Sequence, residues 1–287
     1  MANLYYKGHT YTIVLKAMDW NKAKAKAESM GGHLVKIESS SENKAVFNYV
    51  KGEAKSWKTH YLAFDGGGAE YLWIGASDVG SEGSWRWTDG TSLKYANWGY
   101  GGEPDNYNGN QNVAGLALES WPAGKGGLGR AGQWNDVNQW TSLYSVVEFD
   151  GLAGTPQADK LKGTSGSNTL LGLQGNDTLT GGRGKDAFVF NTKLNAKTNV
   201  DKITDFRVKD DTIRLDDRIF KALDAGSLSL EAFHIGSRAQ DEDDRIIYDS
   251  RKGALYYDPD GNGSAAQVKF ASLAKNLKMT EADFFVI

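Results

Sequence analysis

From Gly154 the chain repeats with a period of nine residues: GTPQADKLK, then GTSGSNTLL from Gly163, GLQGNDTLT from Gly172 and GGRGKDAFV from Gly181. A unit this short cannot bury an apolar face alone, so the copies must stack on one another, and few folds accept such a stack. The sixth position reads Asp159, Asn168, Asp177 and Asp186, and the eighth reads Leu161, Leu170, Leu179 and Phe188. Glycine permits the backbone angles of a tight turn, and the short run around the eighth position reads as a strand whose apolar side chain points inward. Two copies complete one coil, so the pattern predicts a parallel β-roll in which turns two copies apart lie over each other. Clustered carboxylates and carbonyls suit calcium, a hard cation tolerant of irregular oxygen cages. The expectation is one ion between the Gly154 and Gly172 turns, sharing Asp159 and Asp177, and a second between the Gly163 and Gly181 turns, using Asp186 and Asn168. Gly163, Gly172, Gly175, Gly181 and Gly184 belong to the turns around these ions.

Composition divides the chain at the same place. All nine Trp precede residue 141, and residues 151–287 hold 17 Asp against 3 Glu, whereas residues 1–150 hold 7 Asp and 9 Glu. Aspartate favours turns and hard-cation sites over helices, so the second half should be turn-rich. The boundary is placed near Asp150, giving units 1–150 and 151–287. The absence of cysteine removes disulfides and thiolate metal sites, and four His leave oxygen as the main metal ligand. A net charge of −3 offers no basic surplus for nucleic acid. No stretch reaches about 18 apolar residues, so no membrane span is expected.

The nonapeptides resemble the G-G-x-G-x-D-x-U-x repeat of RTX proteins. DKITDFRVKDDTIRLD, ALYYDPDGNGSAAQVKFASL and the ending TEADFFVI are similar to the C-terminal segment of serralysin-type members exported by type I secretion. The resemblance covers residues 151–287. It implies an uncleaved C-terminal exit signal, here Asp283-Phe284-Phe285-Val286-Ile287, a type I secretion apparatus as partner and a location outside a Gram-negative cell. Met1–Thr12 lacks the charged start and apolar run of a secretory signal, consistent with that route. Asp258-Pro259-Asp260-Gly261-Asn262-Gly263 begins like an EF-hand loop, but position twelve is Lys269 instead of Glu, so a turn is expected.

The first half opens with a strand-like run, Tyr11–Leu15. Asp19 then caps a helix ending at Gly31-Gly32, and Ser39-x-x-Glu42 makes a capping box for a second helix. Tyr71 to Asn138 reads as a loop-heavy β region. Within it, Trp73-Ile74-Gly75, Glu103-Pro104-Asp105 and Trp134-Asn135-Asp136 follow in the order of the WIG, EPN or QPD, and WND motifs of C-type lectins. The whole is thus expected as an α+β C-type lectin-like domain with two helices, followed by an all-β parallel roll.

The lectin resemblance, over residues 4–150, implies one calcium held by Glu103, Asp105, Gln111, Asn135 and Asp136, with a cis bond before Pro104. It implies that two vicinal sugar hydroxyls are bound through that ion. The family's mannose-type set carries three carboxylates, and so does this one. Glu103 and Asp105 both accept, however, whereas Gln111 and Asn135 can donate, so neither sugar preference transfers. Asp78 and Glu82 match the start of the family's auxiliary calcium site, whose remaining positions are here Asn106, Gln111 and Asn112. Val113 stands where a half-cystine is expected. Trp98, Tyr100 and Tyr107 are candidates for packing or for a sugar face.

Enzyme readings find no support in the sequence. HExxH and GxSxG are absent, Gly184-Lys185-Asp186 lacks the Ser or Thr of a P-loop, and Gly124–Gly129 fits GxGxxG without its flanking strand and helix. The expectation is a secreted, calcium-dependent carbohydrate-binding protein with no catalytic residues, one ion in the head and about two in the roll. Its rival is an adhesin or surface-assembly protein whose lectin-like face binds a protein or ice.

Overall fold

Asp19 and Ser39 start the two helices of the first unit. In the computed structural model, which describes residues 3–100, 102–122 and 127–287, Asp19 accepts the Lys22 N–H at 2.9 Å to open α1 (Trp20–Ser29). Ser39 accepts the Glu42 N–H at 3.2 Å to open α2 (Ser40–Ala54). The expected capping box is modified: Glu42 accepts the Glu38 N–H at 2.8 Å and the Tyr11 hydroxyl at 2.6 Å. The helix start is thereby tied to the sheet.

The chain divides into two compact units, Met1–Phe149 and Asp150–Ile287. In the first, the strands are β1 (Leu4–Tyr6), β2 (His9–Met18), β3 (His33–Leu34), β4 (Leu62–Ala63), β5 (Ala69–Ser77), β6 (Arg86–Trp87), β7 (Gln111–Ala117), β8 (Trp134–Asn138) and β9 (Leu143–Phe149). The main path runs β1-β2-β9-β5-β7-β8, with the other three strands pairing onto β9 or β5. The strand read as Tyr11–Leu15 extends over all of β2, because it pairs antiparallel with β9 along most of its length. Its core includes Trp134, Leu72, Ile74, Val46 and Val50, all fully buried. Trp98 joins it, its ring 4.6 Å from Trp85 and 5.7 Å from Trp134. Val113 is also fully buried, so apolar packing occupies that position. Of the Gly124–Gly129 stretch, residues 124–126 lie outside the described residues, and Gly129 returns to pair with Trp121.

In the second unit the repeat strands alternate between two sheets. Leu152–Ala153, Thr169–Leu171, Ala187–Phe190 and Thr212–Leu215 run parallel in one. Lys160–Lys162, Thr178–Thr180 and Asp201–Ile203 run parallel in the other. Leu170 sits opposite Phe188, and Leu161 opposite Leu179, so eighth-position side chains stack one coil apart. Leu170, Leu179 and Phe188 are fully buried. Phe284–Val286 pairs with Thr212–Leu215 on one side and Gly226–Ser227 on the other, with Phe284 and Val286 buried. The Asp258–Gly263 loop joins strands Ala254–Tyr257 and Val268–Ser272, so no EF-hand helices flank it, and Lys269 lies within the second strand. Of the acidic run Asp241–Asp244, the first three residues are exposed, but Asp244 is buried and accepts the Gln240 N–H at 2.7 Å.

Candidate functional site

β8 is the floor of the site in the first unit. It carries Asn135 and Asp136, both buried, opposite Gly115 and Ala114 of β7, and Gln111 begins β7. Above it runs the loop with Glu103 and Asp105, whose Glu103-Pro104 peptide is cis. Asp136 pins that loop by accepting the N–H groups of Asp105 at 3.3 Å and Asn106 at 2.7 Å. One oxygen from each of Glu103, Asp105 and Asp136 lies within 4.8 Å of the others. Among the described residues, no salt bridge reaches any of the three.

Charge gathered this way raises proton affinity. Burial, together with the Asp136 and Asp105 carboxylates, pushes Glu103 up to about 7, although the Trp121 indole N–H donates to its Oε1 at 3.0 Å and opposes the shift. Burial also raises Asp136, against the N–H bonds it accepts. Glu103 Oε2 and Asn135 Oδ1 are buried with no hydrogen-bond partner. Orphaned acceptors beside uncompensated carboxylates are what a hard divalent cation satisfies, so the residues present fit calcium. A cleft of about 240 Å³ opens here, and Glu103, Asp105, Gln111 and Asn135 line it.

The five residues expected around one ion therefore share a neighbourhood, but their amides are not equally free. Gln111 accepts the Tyr107 N–H at 2.7 Å and donates through Nε2 to the Asp65 carbonyl at 3.1 Å, so both ends of its amide are engaged. Asn135 donates to the Tyr71 hydroxyl at 3.2 Å and keeps one N–H. Tyr107 is exposed and lines the cleft, whereas Tyr100 lies under Arg130, 5.3 Å from ring centroid to guanidinium.

Asp78, Glu82, Asn106 and Asn112 also come together. Asn106 Nδ2 donates to Glu82 at 2.6 Å, and Asn112 Nδ2 donates to Asp78 and Glu82 at 3.4 Å each. Amide donors stand there against the two carboxylates. Gln111 is turned away from them, toward Asp65.

Asp65 escaped the sequence reading. Its carboxylate accepts the Asn138 N–H at 2.6 Å and its carbonyl holds Gln111, so it ties the β4–β5 turn to both strands of the site. The only cue was its place in Asp65-Gly66-Gly67-Gly68, a tight turn directly ahead of β5.

In the second unit, the sixth-position side chains form two ladders. The N–H of Asp159 donates to Asp177 Oδ1 at 2.8 Å, and that of Asp177 donates to Asp201 Oδ1 at 3.1 Å. On the other edge, Asn168 N–H donates to Asp186 at 2.9 Å and Asp186 N–H to Asp211 at 3.1 Å. The second oxygens of Asp177 and Asp186 are buried without a partner. A Cβ on Gly172 would stand 2.6 Å from Asp177 Oδ2 and 2.5 Å from Asp201 Oδ2, and one on Gly154 would meet the Gly172 carbonyl at 2.8 Å. The glycines thus leave a cradle walled by carboxylates and carbonyls. Gly163 and Gly181 face Asn168 and Asp186 in the same manner, while Gly175 and Gly184, with positive φ, lie against the carbonyls of Gln157 and Gly166. Burial, with its carboxylate neighbours, pushes Asp177 up to about 6 and Asp201 to about 8, and burial raises Asp186. Hard oxygen donors, two of them orphaned, fit calcium here too. Asp201 and Asp211 were missed because the spacing opens from 18 residues to 24 and 25. The surviving signal is Asp-x-apolar, in Asp201-Lys202-Ile203 and Asp211-Thr212-Ile213.

The C-type lectin domain family matches residues 16–147, and the RTX calcium-binding nonapeptide repeat, in four copies, matches residues 154–188. The hepatic lectin of Gallus gallus is 33% identical over 146 residues, covering 50% of this chain and 56% of that protein. A perlucin-like protein of Mytilus galloprovincialis is 35% identical over 104 residues, covering 36% of this chain and 58% of its own. The chain therefore spans a little over half the length of these relatives. Among solved structures, the carbohydrate-recognition domain of the mouse scavenger receptor C-type lectin aligns with 51% of this chain and 92% of its own, at 25% identity and a TM-score of 0.39. The chain carries a C-type lectin domain over residues 16–147, followed by RTX calcium-binding nonapeptide repeats over residues 154–188.

Proposed function

We propose that this is a secreted, calcium-dependent carbohydrate-binding protein. The observation that carries the reading is the convergence of Glu103, Asp105 and Asp136, one oxygen of each within 4.8 Å of the others, uncompensated by any salt bridge among the described residues and accompanied by the orphaned oxygens of Glu103 and Asn135. Calcium held there supplies positions that two vicinal sugar hydroxyls can take from water. Glu103 and Asp105 accept hydrogen bonds from those hydroxyls, and Asn135 donates its remaining N–H. With the Gln111 amide engaged by Asp65 and Tyr107, the rim is richer in acceptors than in donors. The chemistry it favours is a diol that donates to the protein while its oxygens face the ion.

The repeats act in this reading as a calcium-folded β-roll. Without the ion, the stacked carboxylates of Asp159, Asp177 and Asp201 face one another uncompensated, and those of Asp186 and Asp211 are offset only by Arg207, 3.6 Å from Asp211, which opposes folding at low calcium. External calcium offsets that repulsion and adds about 1.4 kcal/mol per site at ten times the dissociation constant. A chain held open inside the cell suits type I secretion, with Asp283–Ile287 as the exit signal.

The test is a glycan array probed with the full chain in calcium, in chelator, and as the Asp136→Ala variant. Binding lost in both latter cases supports the reading. Chelator-insensitive binding to a protein ligand or to ice, with no glycan bound, supports the rival and refutes it.

A further inference from the structure

The β4–β5 hairpin brings a wall to the cleft that none of the site motifs contains. Ala63 pairs with Ala69 and Leu62 with Glu70, and the turn between them is held inward by Asp65, which accepts from Asn138 and Gln111. Gly66 and Gly67 permit the close approach: a Cβ on Gly66 would lie 3.2 Å from Asn135 Nδ2, and one on Gly67 3.2 Å from Pro122. Anchored in this way, the turn leaves Phe64 86% exposed while it lines the same cleft as Glu103 and Asp105. Tyr107, 57% exposed, lines it too. An aromatic ring kept in water on a fastened turn is unfavourable in the free protein and gains on being covered.

We propose that Phe64, assisted by Tyr107, is a stacking wall, so that the site selects a pyranose ring over an open-chain diol. The acidic floor takes the hydroxyls, and the phenyl face takes the C–H face of the ring. A pyranoside presents both surfaces together, whereas a flexible polyol offers hydroxyls without a fixed apolar face. This inference rests on the carbohydrate reading above and adds to it the ring-face requirement and the residue that imposes it. Covering one aromatic face is worth about a tenfold change in dissociation constant, the equivalent of about 1.4 kcal/mol.

The experiment titrates the full chain, saturated with calcium, with methyl α-D-mannopyranoside, methyl β-D-galactopyranoside and D-mannitol, and repeats the series on Phe64→Ala and Phe64→Trp. The wall predicts that the tighter pyranoside weakens about tenfold in Phe64→Ala and recovers in Phe64→Trp, while calcium affinity and the weaker response to mannitol stay unchanged. Since Phe64 is exposed, the variants should keep the native fold, which circular dichroism checks. Equal pyranoside affinity in Phe64→Ala and the native chain overturns the wall and leaves the carbohydrate reading standing. Parallel loss for calcium, mannitol and pyranoside also overturns it, by showing a general distortion. A native chain that binds calcium but none of the three probes sinks the carbohydrate reading, and the wall with it.

Discussion

Replacing Asp136 by Asn should separate ion binding from folding in the first unit. The amide keeps the size of the carboxylate and can still accept the shorter bond, from Asn106 at 2.7 Å, but it loses the charge and turns an NH₂ toward the Asp105 N–H. Losing a charged acceptor costs about 1.5–3 kcal/mol per bond. In the opposite direction, removing one of three neighbouring carboxylates relieves the repulsion that, added to burial, pushes Glu103 up to about 7. The two effects offset, so in chelator at pH 7.5 the variant should melt near the native chain. Calcium restores the difference. At one hundred times its dissociation constant, the ion adds about 2.7 kcal/mol to the native head. For a unit of this size, that raises the melting temperature by about 5–10 °C. All nine Trp lie in this unit, so tryptophan fluorescence reports it without the repeats. The native head should show the rise, and Asp136→Asn a shift below about 2 °C. An equal calcium-induced rise in the variant would refute the assignment of Asp136 to the ion.

Three further outcomes follow from the same geometry. Because folding raises Asp177 to about 6 and Asp201 to about 8, the metal-free second unit binds more protons folded than unfolded. Its stability in chelator should therefore be full below about pH 4 and fall as pH rises through 6 to 8; melts followed by circular dichroism that improve with rising pH would contradict this. Gly172→Ala places a Cβ 2.5–2.6 Å from the Asp201 and Asp177 oxygens, so it should abolish calcium stabilisation of that coil while leaving the tryptophan-monitored head unchanged, as read by calorimetry beside fluorescence. Ser39→Ala removes the cap of α2 and should destabilise the head by about 1 kcal/mol equally with and without calcium, a difference that denaturant titration resolves.

What the sequence disclosed follows from how local each feature is. Asp19 and Ser39 bond within three residues of themselves, and the repeat strands echo a fixed period, so both could be read directly. Glu42 could not be read fully, because its second oxygen reaches Tyr11, 31 residues away. The ladders were legible for as long as the period held. Once residues 191–200 lengthen the connection, only the geometry shows that Asp201 continues the row of Asp159 and Asp177. In the head, motif order pointed to Glu103, Asp105 and Asp136. The neighbours that tie the site together, Trp121 to Glu103 and Asp65 to Gln111 and Asn138, approach from segments 18 residues after and 38 before Glu103, and no pattern in the sequence connects them to it. The engagement of the Gln111 amide was hidden for the same reason.

Calcium uptake tests the central claim most directly. Isothermal titration of the metal-stripped full chain at neutral pH should give saturable binding, with one component lost in Asp136→Asn and another in Gly172→Ala, and with circular dichroism reporting ordering of the repeats as they fill. An absence of binding heat up to millimolar calcium, with an unchanged spectrum, would contradict the account in both units at once.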